Sequence, residues 1–454
     1  MEPVIDEAKK LRRSGRFRDA LRLVSPLVYP QGRFRPRAGA LAEYALALAQ
    51  LGAPEAAERL LLQVEVRQAK ETFALALCRM LQWKHAEAAC DLEAYGASVE
   101  PGSYDAWVAF ANLLWCRLYE GKTEAIASAW DGARDVLELH PVLYANVWTT
   151  VAKAEFLHWL QGGAPLTTER HLAAVPALSP YDELALRFSE ILAEACAGTR
   201  ILESSTIAIL ESKGRDKGLF EFARECALWR ALFSSEGEGE LLSAAGWGTP
   251  FAGFSTYAAR VSRWLGRAAQ ARDDFAFFRE GSWERCGAKP AFDPWDDPAS
   301  PFTRGEKRIL ATLAADTHRP ATHERLFLAS HEEGHFNPDT ATGAMHVALS
   351  RLRRKCRDAG LAGEVRADTW GFRLVVNGTG VKVPARIAFE TGASHDEGAL
   401  VLAHVSANGC TRAQLEGATG LHPRKLTRVL AALVEQGAVV RQGRGPASAY
   451  VRGA

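Results

Sequence analysis

The sequence lacks the features that mark secreted and membrane proteins. Its eight cysteines are scattered and form no CxxC pair, which fits reduced thiols better than a disulfide framework. The first residues, MEPVIDEAKKLRRSG, contain no apolar signal region. No run approaches the ~18–20 uncharged apolar residues that are needed to cross a bilayer. We therefore expect a cytoplasmic protein that does not enter a membrane.

Charge is almost balanced overall, but it is divided unevenly along the chain. The formal net charge is +1. Residues 303–454 hold 21 Lys and Arg against 14 Asp and Glu, whereas residues 1–302 hold 34 against 40. The C-terminal third is therefore the cationic part of the molecule. Such a division predicts that this part meets a polyanion while the rest does not.

Residues 1–290 show helical periodicity throughout, and strand-like alternation is scarce. Three stretches are alike, namely GRFRDALRLV from residue 15, GAPEAAERLL from 52 and HAEAACDLEA from 85. Matching alanines at 20, 57, 89 and 133 are separated by roughly 37, 32 and 44 residues, which is the range of helix-pair repeats. Over about the first 160 residues the pattern resembles degenerate tetratricopeptide repeats. The resemblance implies a solenoid-like domain for a protein or peptide partner, or for self-association.

Composition divides the chain into five segments and predicts a mainly α fold. The helical repeat domain at 1–290 ends at a linker, 291–302, that is rich in proline and aspartate. Two α+β units follow, separated by a second linker. The predicted ranges are 303–376 for the first unit, 377–393 for the linker and 394–454 for the second unit.

The first α+β unit reads as three helices followed by two strands. Thr303 and Glu306 predict a capping box at the start of the first helix. Further helices are expected at 321–331 and 340–358, and the strands at 364–376. In the third helix, the spacing predicts a buried stripe, which consists of Met345, Leu349, Leu352 and Cys356.

The third helix also concentrates charge, because residues 351–357 contain five cations in seven positions. HVALSRLRRKCRDAG followed by VRADTWGFRLVV resembles the winged helix-turn-helix domain of OmpR/PhoB-type regulators. The matching positions are Val347, Ser350, Arg351, Leu352, Arg353, Lys355, Gly371, Phe372, Arg373 and Leu374. The resemblance covers about 75 residues and implies that the helix enters the major groove of double-stranded DNA beside the ribbon. No acidic receiver domain precedes it, so control by phosphorylation is not implied.

Two sets of DNA contacts are predicted in this unit. On the helix they are His346, Ser350, Arg351, Arg353, Arg354, Lys355 and Arg357. On the ribbon, or wing, they are Arg366 and Arg373. Base choice is expected from Arg354, Ser350 or His346, and the remaining cations are expected to neutralise phosphates.

The second α+β unit has the same order of elements. Helices are expected from 394 to 407, after Thr411 and from Pro423 to Gly437, and a hairpin follows. The pattern resembles the winged helices of MarR- and IclR-type regulators. Predicted DNA contacts are Arg424, Lys425, Thr427 and Arg428 on the helix, with Arg441 and Arg444 on the wing. Protein contact or dimerisation through this unit remains open.

Other chemistry is less well supported by the sequence. HEEGH, from His331 to His335, matches the zinc-protease pattern with Glu332 as base, but Gly334 and Pro338 end a helix there. Five tryptophans between residues 107 and 159 are interpreted as packing. We expect no enzyme activity, cofactor or bound metal. The sequence thus predicts a bacterial, sequence-specific DNA-binding transcriptional regulator. The alternatives are a scaffold whose winged helices bind protein and, less favoured, a zinc-dependent hydrolase.

Overall fold

The computed structural model of the protein describes most of the chain. The described residues are 2–163 except 38, 138 and 139, then 180–196, 203–233, 252–265, 275–279, 282–285, 301–331 except 317, 336–359, 363–376, 381–384, 401–405 except 403, 409–419, 423–435, 437–443 and 448–452. The predicted linker at 291–302 therefore lies outside the described residues except at its last two positions.

The N-terminal part is helical, as the periodicity predicts. Its helices are α1 (Glu2–Arg13), α2 (Phe17–Val28), α3 (Ala40–Gln50), α4 (Pro54–Leu62), α5 (Ala69–Leu81), α6 (His85–Ser98), α7 (Tyr104–Glu120), α8 (Thr123–Leu137), α9 (Pro141–Leu160), α10 (Pro180–Cys196), α11 (Ser204–Asp216), α12 (Phe220–Phe233) and α13 (Ala252–Trp264). Consecutive helices pack on one another, for example α1 on α2, α5 on α6 and α11 on α12. The four matching alanines are all buried, which allows neighbouring helices to approach closely.

Two large apolar cores lie in this helical part. The first fills the space between α1 and α5 and includes Leu41, Leu48 and Leu75. The second extends from α7 to α13 and includes Phe156 and Trp229. Trp130 and Trp148 are buried in the second core, as their interpretation as packing residues predicted.

The helical prediction is wrong near residue 280. Strands β1 (Phe275–Arg279) and β2 (Ser282–Arg285) lie there, and β1 pairs antiparallel with both β2 and β5 (Val381–Pro384). Strand β5 belongs to the segment that was predicted to be a linker. The sequence FAFFR has three phenylalanines in five residues, a composition that favours a strand. Its partner β5 is about a hundred residues away, so no local pattern reveals the pairing.

Three helices and a hairpin follow, as predicted for residues 303–376. They are α14 (Arg304–Ala315), α15 (His323–Ser330), α16 (Ala341–Asp358), β3 (Gly363–Asp368) and β4 (Gly371–Val376). The predicted capping box is confirmed, with Thr303 and Glu306 each bonded to the other's backbone N–H. Strands β3 and β4 pair antiparallel, and Ala321 makes a bridge to Phe372 that ties the hairpin to the start of α15.

This helical and hairpin unit, residues 301–376, packs directly against the N-terminal helices. Leu328, Phe336 and Ala341 join the core of α1–α5. The Thr322 hydroxyl donates to the carbonyl of Leu51 at 2.6 Å. Arg18 on α2 binds Glu324 at 2.6 Å. The unit is therefore built into the same body as the N-terminal helices, a contact that the sequence did not predict.

Residues Glu390–Ala454 form a separate compact unit. It contains β6 (Cys410–Thr411), α17 (Arg412–Thr419), α18 (Pro423–Glu435), β7 (Val439–Gln442) and β8 (Ala449–Arg452). The strands form one antiparallel sheet in the order β6-β8-β7, of which the sequence predicted only the β7–β8 hairpin. Leu426, Leu430 and Leu433 are buried as predicted, and Thr411 caps α17. Most of the helix expected at 394–407 lies outside the described residues.

Within the described part of the chain, no helix has both the length and the apolarity that a membrane crossing requires.

Candidate nucleic-acid interface

Helix α16 buries one side and exposes the other. Met345, Leu349, Leu352 and Cys356 are each at most 2% exposed, which confirms the predicted stripe. They pack on α14, α15 and the hairpin in a core of their own. The helical period then places residues 347, 350, 351, 354 and 357 on the opposite side, where the side chains are exposed. The exposed side of α16 is the candidate interface.

Three arginines of this exposed side are available to a ligand. Arg351, Arg354 and Arg357 are exposed, and none makes a hydrogen bond or ion pair with the residues that the structure describes. They lie three residues apart, so each is close to one turn of the helix from the next. Ser350 is exposed beside them, and Val347 is 60% exposed one turn earlier. The result is a cationic strip that includes one apolar side chain.

The other two cations of the cluster bind the protein itself. Arg353 donates from Nε to the carbonyl of Val365 at 2.7 Å and so ties α16 to β3. Lys355 donates to Glu306 at 2.6 Å and to the carbonyl of Pro301 at 2.8 Å. Both lie on the shoulders of the helix and reach inward. That they both neutralise phosphates stays a prediction, and the structure gives each a partner within the protein. Although burial acts to raise the pKa of Glu306, the Lys355 ammonium group lowers it below its usual value.

The predicted contact His346 lies at the edge of the strip, beside a second histidine. Its Nε2 is 3.2 Å from Nε2 of His323 on α15, so one ring donates a hydrogen bond to the other. Both rings also lie against Phe372 of β4. Burial and the neighbouring His346 lower the pKa of His323. No sequence pattern points to His323, because its contact with His346 depends on how α15 and α16 pack.

Both predicted wing residues are held by acidic neighbours on the hairpin. Arg366 binds Glu364 at 3.2 Å, and both side chains are exposed. Arg373 binds Asp368 at 2.8 Å. The turn between the strands carries Trp370, whose ring meets Phe220 of α12. The hairpin therefore offers less uncompensated charge than α16, and its tip packs on the N-terminal helices.

In the second unit, the structure describes only part of the predicted site. Thr427 is exposed on α18, and Arg412 donates to its hydroxyl at 3.5 Å. Arg441 is exposed and donates to the hydroxyl of Ser448 at 2.9 and 3.1 Å. The side chains of Arg424, Lys425 and Arg428, and all of Arg444, lie outside the described residues.

The HEEGH stretch is described only at its first residue. His331 follows α15, is exposed, and stacks on Phe327. Glu332 and His335 lie outside the described residues, so the geometry of the motif is not part of the described structure. Among the residues that are described, no three His, Cys, Asp or Glu side chains gather as ligands for a metal ion.

Comparisons with known proteins add no assignment. No protein-family model matches the chain, and no curated protein or solved structure was found that resembles it.

Proposed function

We propose that this protein is a double-stranded DNA-binding transcriptional regulator. In this proposal, residues 303–376 act as a winged helix-turn-helix of the OmpR/PhoB type, with α16 in the major groove and the β3–β4 hairpin as the wing. The observation that carries the proposal is the strip of Arg351, Arg354 and Arg357 on α16, which is exposed and without partners among the described residues.

Electrostatics supports the assignment of this strip to a phosphate-bearing partner. Each arginine that neutralises a DNA phosphate releases condensed counterions, and this release contributes favourable free energy. Arginine also binds guanine through two parallel hydrogen bonds, worth ~1–3 kcal/mol of discrimination. We assign Arg354 and Ser350, at the middle of the strip, to base contacts. Arg351 and Arg357 are assigned to phosphates, whereas Arg353 and Lys355 fix the helix in its place.

The remaining parts are assigned to supporting roles. The second unit is proposed to be a MarR/IclR-like winged helix that contacts DNA through α18. Its binding would raise the effective concentration of the first winged helix, residues 303–376, at the DNA. The helices before residue 290 are proposed to form a tetratricopeptide-like domain for a partner, a signal or self-association. Their excess of acidic residues makes them unsuited to bind DNA themselves.

The test measures duplex binding by fluorescence anisotropy at several salt concentrations. The double variant Arg351→Ala/Arg357→Ala, which removes both proposed phosphate contacts of the strip, should weaken binding and flatten the slope of log affinity against log salt by about 1.8, because each phosphate contact contributes about 0.9. A matched control, Arg13→Ala/Lys213→Ala, removes two exposed cations from α1 and α11. The control should leave both affinity and slope unchanged.

Two results would contradict the proposal. An equal loss in both double variants would show that binding follows total charge and not the α16 strip. A wild-type chain without duplex affinity at low salt would favour the competing possibility, a scaffold whose winged helices bind protein.

A further inference from the structure

One stretch of the N-terminal region departs from the acidic balance of residues 1–302. Residues 16–37 hold six arginines against one acidic residue, whereas the rest of residues 1–302 hold 28 Lys and Arg against 39 Asp and Glu. The six arginines are Arg16, Arg18, Arg22, Arg33, Arg35 and Arg37. A local excess of cations on an otherwise acidic domain is typical of a surface for an anionic partner.

Three of these arginines alternate along the chain between α2 and α3. This arginine segment is RFRPR, residues 33–37, and Arg33 has an extended backbone with a φ of −104° and a ψ of 137°. The backbone N–H groups of Arg35 and Arg37 donate to carbonyls at the C-terminal end of α2, each at 3.0 Å. In extended chain, successive side chains point to opposite sides. Phe34 is accordingly half-buried, whereas Arg33, Arg35 and Arg37 are exposed. The segment is thus fixed to α2 and presents its guanidinium groups to solvent.

Two arginines of the segment are unpaired in the described part of the protein. Arg33 and Arg35 make neither a hydrogen bond nor an ion pair with any residue that the structure describes. Carboxylates bind the three arginines of α2 and its N-cap, in the pairs Arg16 with Asp19, Arg18 with Glu324 and Arg22 with Asp339. The charge that is available to a partner therefore lies in the arginine segment.

The arginine segment and the start of α16 are attached to one apolar core. Tyr29 and Phe34 pack against the core of α1–α5, to which Phe336 and Ala341 also belong. The rings of Tyr29 and Phe34 are 5.6 Å apart, and those of Tyr29 and Tyr44 are 5.7 Å apart. The Tyr44 hydroxyl donates to the carbonyl of Phe336 at 3.3 Å. Since Ala341 is the first residue of α16, this packing holds the segment and the helix in a fixed relation.

Helix α2 connects the segment to the edge of the α16 strip. Arg18 binds Glu324, in the first turn of α15, at 2.6 Å. Arg22 binds Asp339, two residues before α16 begins, at 2.9 Å. His323, also in the first turn of α15, belongs to the histidine pair at the edge of the strip. The start of α2 therefore lies beside the strip, and its C-terminal end carries the arginine segment.

We infer that the arginine segment binds the phosphate backbone of the same duplex that receives α16 in its major groove. A duplex is a long polyanion with one charge per ~1.7 Å of axis, so it can contact two cationic surfaces of one body. Guanidinium groups also match phosphate oxygens through two parallel hydrogen bonds. The segment lies between helices, and it flanks the groove contact without involving the acidic helical surface. The identity of the partner rests on the proposed function.

Salt dependence tests this contact on the full chain. Arg33→Ala/Arg35→Ala should weaken duplex binding and flatten the slope of log affinity against log salt by about 1.8, because each phosphate contact contributes about 0.9. Arg33→Lys/Arg35→Lys keeps both charges and should keep the wild-type slope. Since both arginines are exposed and unpaired within the described chain, neither variant should change the free energy of unfolding in urea.

The matched control is Lys213→Ala/Arg263→Ala. It removes two exposed cations, from α11 and α13, that also have no partner among the described residues. Affinity and salt slope should both stay at their wild-type values. An equal loss in the control would show that binding follows total charge, and it would overturn the inference.

Hydroxyl-radical footprinting locates the contact on the DNA. The probe is a duplex that the wild-type protein selects from random sequence, at saturating protein concentration. The Arg33→Ala/Arg35→Ala variant should lose backbone protection at one end of the wild-type footprint and retain it elsewhere. A footprint of unchanged length would place the segment away from the DNA and overturn the inference.

The outcomes distinguish this inference from the proposed function. If Arg351→Ala/Arg357→Ala flattens the slope and Arg33→Ala/Arg35→Ala does not, the inference is overturned and the proposed function stands. If only the segment variant flattens the slope, the segment remains a phosphate contact and the placement of α16 in the groove fails. A wild-type chain without duplex affinity at low salt would overturn both.

Discussion

Arg224 on α12 donates from Nη2 to Oδ2 of Asp316 at 2.8 Å, and both side chains are completely buried. This pair joins the N-terminal helices to the loop after α14. Arg325 of α15 approaches the same carboxylate oxygen at 3.4 Å. Although burial acts to raise the pKa of Asp316, the guanidinium groups of Arg224 and Arg325 hold it well below its usual range. The helical and hairpin unit, residues 301–376, is thus fixed to the N-terminal helices by a desolvated ionic contact.

Removing one member of this pair should be strongly destabilising. Asp316→Asn leaves Arg224 buried beside a neutral partner, and broken buried pairs cost ~3–5 kcal/mol. The free energy of unfolding in urea measures the effect. Asp339→Asn is the matched control, because its pair with Arg22 joins the same two parts but is exposed. Exposed pairs contribute at most ~1 kcal/mol. A similar loss of unfolding free energy in both variants would therefore contradict the conclusion that the buried pair stabilises the junction more than the exposed pair does.

Stability should fall as the pH falls below neutrality. Burial, followed by the charge of Arg224, lowers the pKa of His318 from 6.5 to about 3. A histidine with a depressed folded-state pKa binds its proton more weakly in the folded chain than in the unfolded chain. The stability that it contributes is therefore complete above pH 6.5 and is lost progressively toward pH 3. His85 behaves in the same way, and its pKa is also lowered to about 3.

The variant His318→Phe tests this dependence. The variant lacks the imidazole that takes up a proton in the unfolded chain, but not in the folded chain, between pH 6.5 and 3. Its free energy of unfolding should therefore depend less on pH over this range than that of the wild type. Urea unfolding at a series of pH values gives both curves. Parallel curves for the variant and the wild type would mean that His318 has the same pKa in the folded and the unfolded chain.

These relationships show which parts of the molecule local sequence can reveal. The capping box of Thr303 and Glu306 and the buried stripe of α16 follow from spacing within one or two helical turns, and both were predicted. The mainly helical fold was predicted for the same reason. Contacts such as Arg224 with Asp316 join residues 92 positions apart. No pattern within either segment encodes them.

The candidate site was predictable to the same extent. Helical spacing identified the exposed side of α16 but could not distinguish Arg351, which is exposed, from Arg353, which turns to the carbonyl of Val365. That difference depends on where the hairpin packs. A cavity of about 460 Å³ between α5, α7, α9 and α12 was missed altogether, because its wall comes from many separate helices. Trp115, which was interpreted as a packing residue, packs against the second apolar core and also lines this cavity.

Lys355 should stabilise the fold and contribute little to DNA affinity. Its ammonium group holds the capping glutamate of α14 at 2.6 Å, and its side chain is only 23% exposed. Lys355→Met should therefore lower the free energy of unfolding by about 1 kcal/mol, the net contribution of an ordinary hydrogen bond. The salt slope of duplex binding should stay as in the wild type. A flatter salt slope with an unchanged free energy of unfolding would indicate that Lys355 contacts a phosphate, as predicted from the sequence.

Val347 provides a test of base contact that does not involve charge. Its side chain is 60% exposed within the arginine strip, where an apolar group has no role in phosphate binding. In the major groove, an exposed methyl-bearing side chain can pack on the methyl group of thymine. Val347→Ser should therefore reduce affinity for a duplex selected from random sequence by the wild-type protein. It should leave affinity for unselected DNA, and the salt slope, unchanged.

The comparison of Val347→Ser with Arg351→Ala separates the two kinds of contact. Loss of a phosphate contact weakens binding to the selected and the unselected duplex alike. Loss of a base contact weakens binding to the selected duplex alone. Anisotropy titrations with both duplexes at one salt concentration give the ratio of the affinity for the selected duplex to the affinity for the unselected duplex. If Val347→Ser leaves that ratio at its wild-type value, Val347 does not face a base, and the exposed side of α16 lies along the phosphate backbone instead of inside the groove.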